Sequence, residues 1–105
     1  MAAPYNPPVK AEEFKIRVAL EDMATPGSFK SSPTLAVGDF KVAIDGAALA
    51  NLGTSAVCSP SGTVCVLLAL SSAEMNGDIV TIVGVDQTSP KEWCDVVISI
   101  PTTTA

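Results

Sequence analysis

From Glu13 to Leu20 large apolar side chains fall on every second position, with Phe14, Ile16, Val18 and Leu20 alternating with Lys15, Arg17 and Ala19. Successive side chains of a strand point to opposite faces, so this spacing predicts a half-buried strand with its cations in water. Comparable runs recur at Phe40–Asp45, Val64–Leu70, Ile79–Val85 and Cys94–Ile100, each bounded by Gly, Pro, Ser, Asn or Asp. Several short strands separated by turn residues predict an all-β domain, an antiparallel sandwich or barrel. Thr34–Val37 is expected as a further short strand. Asp45-Gly46 supplies the positive φ angles of a tight hairpin. The return strand, Ala47–Leu52, is rich in alanine, a weak strand former, which predicts a loose or edge position. Ser55–Cys58 is expected to join Val64–Leu70 as the next hairpin, through Ser59–Thr63.

Ser71–Gly77 has a different pattern. Ser71 followed by Glu74 fits a capping box, and Asn76-Gly77 can stop a single helical turn, so a short helical corner is expected there. Glu74 is read as a structural cap.

Three strands are apolar on both parities. Val64, Val66, Leu68 and Leu70 alternate with Cys65, Leu67 and Ala69; Ile79, Val83 and Val85 with Val80 and Ile82; Cys94, Val96, Ile98 and Ile100 with Trp93 and Val97. Only one face of each sheet in a two-layer sandwich meets the core, so the other face is left wet and apolar. A homo-oligomeric or lattice interface covering that face is one expectation. A fully interior strand or a covering loop is the other. Leu67 and Val97 are the candidate interface residues on these strands. Trp93, opposite in parity to Cys94, Val96 and Ile98, reads either as an exposed interface anchor or as a ring folded over the end of the core.

The 105 residues provide for one core. The expected organisation is an extended Pro-rich arm over 1–12, a sandwich domain over 13–101 and a tail over 102–105. Pro4, Pro7 and Pro8 forbid helix in the arm. It reads either as a tail or as an arm that orders along a neighbouring subunit, with Tyr5 as anchor beside Pro7 and Pro8. No apolar run approaches the roughly 20 residues that span a bilayer, so no membrane contact is expected. The start has neither the early positive charge nor the apolar segment of a secretory leader, which predicts that the protein stays where it is made.

Six Lys/Arg against eleven Asp/Glu give a formal charge of −5, with no basic cluster. Counterion release needs clustered cations, so nucleic-acid binding is not expected and protein partners are. The chain has no histidine, which removes the usual base for a nucleophile and the commonest transition-metal ligand. Cys58, Cys65 and Cys94 lack a zinc-finger spacing, so neither metal nor cofactor is expected, and no catalytic residue is assigned. The pairs Glu12-Glu13 and Glu21-Asp22 read as solvated charge. Asp39, Asp45 and Asp86 read as turn-shaping residues. The odd cysteine count favours free buried thiols, although a bond between Cys58 and Cys65 is conceivable if they face each other across a hairpin centred on Ser61-Gly62. One Trp, one Tyr and three Phe leave little for sugar stacking.

The succession Phe14–Asp22, then Asp39–Val42 leading to Asp45–Ala47, then Leu70–Asp78, resembles small Ig-like structural proteins of tailed bacteriophages and prophages, over roughly residues 13–100. The resemblance implies an Ig-like antiparallel β-sandwich of about seven strands with one short helical corner. It also implies a virion component present in many copies, assembled in the host cytoplasm, whose partners are the major capsid protein or other virion proteins. A head decoration or cement protein on the capsid exterior is the first expectation and a neck or tail accessory protein the second. An extracellular Ig-like adhesion or ligand-binding module is the further alternative. The Cys-Trp-Cys arrangement of antibody domains is missing, so Ig-like here means sandwich architecture alone.

Overall fold

The computed structural model describes residues 7–103. They form seven strands: β1 (Phe14–Ala19), β2 (Phe40–Ile44), β3 (Ala50–Asn51), β4 (Val57–Cys58), β5 (Cys65–Leu70), β6 (Ile79–Gly84) and β7 (Val96–Pro101). Two antiparallel sheets result, one ordered β1-β5-β4 and the other β3-β2-β6-β7. The arrangement is all-β and consistent with a β-sandwich.

Register follows the alternation in the sequence. Phe14 lies opposite Leu70, Ile16 opposite Leu68 and Val18 opposite Val66, so the apolar parity of β1 shares a face with that of β5. In the second sheet Val42 meets Ile82, which meets Ile98, while Val80 meets Ile100. These inner faces make one core containing Val66, Leu68, Leu70, Val80 and Ile82, closed by Leu20, Met75 and Trp93. Each such side chain contributes about 1.5–3 kcal/mol by leaving water. A slip of one residue in any pairing would exchange the two faces, which is why the register is specified.

The expected elements largely form, with three differences. Thr34–Val37 is not a strand: Asp39 accepts the Ala36 N–H through Oδ2 at 2.8 Å and returns its own N–H to the Ala36 carbonyl at 3.1 Å, folding the segment into a turn. The return strand after Asp45-Gly46 is only Ala50–Asn51. The turn itself forms as the sequence predicts, with φ of 52° at Asp45 and 77° at Gly46.

The third difference is Ser71–Gly77, a hydrogen-bonded turn rather than a helix. Its capping box is present: the Glu74 N–H donates to Ser71 Oγ at 3.2 Å and the Ser71 N–H to Glu74 Oε1 at 2.9 Å. Propagation stops because Asp45 Oδ1 accepts the N–H groups of Asp78 and Ile79, at 2.8 and 3.0 Å, and so starts β6 at once. Gly77 is needed at this junction, since a Cβ there would collide with the Ile44 side chain.

Candidate interaction surfaces

The segments 20–39, 59–64 and 85–95 gather at one end of the sandwich, where β1, β4 and β6 finish and β2, β5 and β7 begin. This end is stiffened from within. Trp93 is wholly buried and stacks on Phe40, and its Nε1–H points to the Thr34 carbonyl at 3.4 Å. Burial corrects one of the two sequence readings: Trp93 is no exposed anchor but part of the core. Its backbone pairs with Asp22, so its ring is directed inward from the join between the two sheets.

Carboxylates hold the surrounding loops. Asp39 Oδ1 accepts the Gln87 N–H at 3.0 Å, and Glu92 accepts both the N–H and the hydroxyl of Thr34, at 3.1 and 2.9 Å. Asp86 receives the Thr88 N–H at 2.8 Å and the Glu92 N–H at 2.6 Å. Burial of Asp86 works to raise its pKa, but donors from the Glu92, Thr88 and Trp93 backbone and the Thr88 hydroxyl outweigh it, and the carboxyl is held below its usual range. Asp39, Asp45 and Asp86 therefore shape turns. Glu21 and Asp22 are also occupied, accepting the N–H groups of Gly27 and Ala24, and are not merely solvated charge.

On this braced end Met23, Phe29 and Val37 are exposed, Phe29 by 60% and Val37 by 71%. Sequence reading did not single them out, because they lie in loops without periodicity. The only signal was three large apolar residues among turn formers.

The outer sheet faces differ from the expected single interface. Leu67 is half-buried on the outside of β1-β5-β4, beside Arg17 and Val57. Val97 is 67% exposed on the outside of the other sheet. β5 and β7 belong to different sheets whose outer faces point in opposite directions, so Leu67 and Val97 cannot share one patch. Around Val97 the register places Val83 alongside and the pair Ile79–Pro101 beyond Thr81–Ser99. Apolar and hydroxyl side chains alternate there, which makes a mixed face. On the first sheet, Arg17 Nε reaches across β5 to the Ser59 carbonyl at 3.1 Å.

Pro7 and Pro8 are half-buried, and the chain that follows is docked to its own domain. The Thr103 N–H donates to the Pro8 carbonyl and the Lys10 N–H to the Thr103 carbonyl, both at 2.8 Å, giving a parallel bridge between Val9 and Thr103. Lys10 also pairs with Asp78 at 3.2 Å. Tyr5 lies outside the described residues.

All three thiols are free and half-buried. Cys58 pairs with Val66 and not with Cys65, which places the two sulfurs on opposite faces of their sheet. Among the described residues no three His, Cys, Asp or Glu side chains converge as metal ligands, and no helix is long and apolar enough to cross a membrane. Comparison with protein-family models, with curated proteins and with solved structures finds no match.

Proposed function

We propose that this protein is a non-enzymatic structural component of a tailed-phage virion, an Ig-like domain that binds the capsid exterior as a head decoration or cement protein. The observation that carries the binding role is the outer face of the four-stranded sheet, where Ile79 and Val97 are exposed beside Val83 and Pro101. A sheet face with exposed apolar side chains suits docking on a partner of complementary shape, and repetition around a symmetric shell multiplies modest contacts. The acidic balance suits selectivity among protein surfaces.

Strand order supports the Ig-like part of the proposal. Taking β1, β5 and β4 as strands B, E and D, and β3, β2, β6 and β7 as C′, C, F and G, reproduces the sequence of neighbours in the two Ig sheets. No described strand takes the place of A beside β1.

The test is addition of purified protein to tailed-phage shells assembled without it, read by electron microscopy. Extra density on the outer surface, reduced by Val97→Glu or Ile79→Glu while the variants stay folded, is the expected result. Density at the neck or tail supports an accessory role there. No density at any of these sites overturns the virion reading. The exposed loop residues Met23, Phe29 and Val37 favour the alternative of an Ig-like ligand-binding module, and substitutions there would then be the ones that abolish binding.

A further inference from the structure

Charge is sorted by position in the fold. All eleven Asp and Glu side chains lie outside the seven strands, and the charges that the strands carry are Lys15, Arg17 and Lys41. The carboxylates are therefore confined to turns and ends, while the sheet faces hold apolar groups and cations. The outer face of β1-β5-β4 has Lys15 and Arg17, and the other sheet has Lys41. Both cations of β1 point outward, since Phe14, Ile16 and Val18 pack on the core. Arg17, Leu67 and Val57 form one row across the three strands, with Lys15 and Ala69 in the next. Val57 is 50% exposed, and the bond from Arg17 Nε to the Ser59 carbonyl holds the guanidinium in place. Among the described residues neither Lys15 nor Arg17 forms an ion pair.

The loop end has the opposite character. Glu21, Asp22, Glu92 and Asp95 outnumber Lys30 and Lys91 there, and Lys91 is already paired with Asp95. Phe29, the one exposed aromatic ring among the described residues, bridges to Glu21. Directly paired residues present their side chains on one face, so ring and carboxylate stand side by side. One face of the molecule thus joins an apolar row to a cation, and one end joins an apolar ring to an anion.

We infer that a second copy of this chain docks its loop end on the outer face of β1-β5-β4, with Phe29 on Leu67 and Val57 and Glu21 against Arg17. A net charge of −5 sets copies against one another in most orientations. Face on face opposes cations and end on end opposes carboxylates, whereas end on face brings unlike charges together over apolar groups. The two halves of the contact lie on different surfaces. Each copy therefore offers one half and accepts the other, and copies join into a ring or a chain instead of a closed pair. Neither Ile79 nor Val97 takes part, so this contact is separate from attachment to a shell.

The experiment is sedimentation velocity of the purified full chain over a range of concentrations, at low salt and at about 1 M salt, where charges are screened beyond about 3 Å. Self-association that weakens by about tenfold or more in high salt, and likewise in Arg17→Glu and in Glu21→Lys at low salt, is the expected result. Mixing the two variants, each shown to be folded by circular dichroism, should restore it, because each keeps the half that the other lacks. Amide chemical shifts of the parent should move with concentration on β1, β5 and residues 21–29 together, a result that needs no variant. A parent that stays monomeric up to about 1 mM at low salt overturns the proposal. So do association that survives both substitutions, variants that fail to complement each other, and shifts confined to one of the two surfaces.

Discussion

The indole of Trp93 lies on the ring of Phe40 with centroids 5.3 Å apart and planes 14° from parallel. This stack joins the first residue of β2 to the segment that leads into β7. Replacing Trp93 by Ala should destabilise the domain by about 3–5 kcal/mol, as for other buried aromatics. Trp93→Phe should cost far less, since a ring remains on Phe40. Urea unfolding followed by circular dichroism checks both. The fluorescence of this single tryptophan should resist iodide quenching in the native protein.

Gly84 sits against the same stack. A Cβ there would come within 2.6 Å of Phe40 Cε1 and 2.8 Å of Val96 Cγ1. The Phe40 ring cannot retreat, because Trp93 backs it. Gly84→Ala should therefore destabilise by about 1–3 kcal/mol through overpacking, although alanine is the smallest possible addition. A stability equal to that of the parent in urea would show that the ring yields.

Acid should loosen the loop end. The Asp86 carboxyl has a lower pKa folded than unfolded, so folding favours its ionised form. Its contribution is full above the ordinary carboxylate value of about 3.9. It is lost as the pH falls below that value and through the lower, folded one. Asp86→Asn should be less stable than the parent at neutral pH, with the difference narrowing toward pH 2. Urea midpoints of both proteins between pH 2 and 7 test this, and a constant difference across the range would contradict it.

Cys58 and Cys65 should not crosslink within one chain. They face opposite sides of their sheet, and Cys58 Sγ instead donates to the Thr63 carbonyl at 3.1 Å. Titration with a thiol reagent in denaturant should count three thiols even after mild oxidation of the native protein. A count of one would require a different register for β4.

Period-two alternation made the long strands legible in the sequence, because burial of one face is the force that builds them. β1, β2, β5 and β6 lie within predicted runs, and β7 overlaps its run but extends one residue beyond it to Pro101. Failures occur where hydrogen bonds rather than burial decide. Thr34–Val37 looks like a strand until Asp39 folds it back, and Ser71–Gly77 carries a helix cap but is cut short by Asp45 from another hairpin. For Trp93 parity left two readings open, and burial selects the ring over the core, since this residue pairs with Asp22 and not with β6. Which sheet each strand joins was illegible altogether. Alternation gives a strand two faces without naming its neighbours, so Leu67 and Val97 could be placed on one surface until the sheet order separated them.

The pairing of β1 with β5 has a consequence for the order of events in the cell. Phe14, Ile16 and Val18 find their partners only in residues 66–70, and the bridge from Val9 must await Thr103. At synthesis rates of about 5–20 residues per second, a strand with three large apolar side chains waits seconds for its partner. Local hairpins such as β2 with β3 can form first, and closure of the two sheets waits for the later strands β5 and β7. Such a chain depends on its first strand staying unpaired in the meantime. Lys15 and Arg17, spaced along β1, serve that need in the nascent chain by keeping identical strands apart.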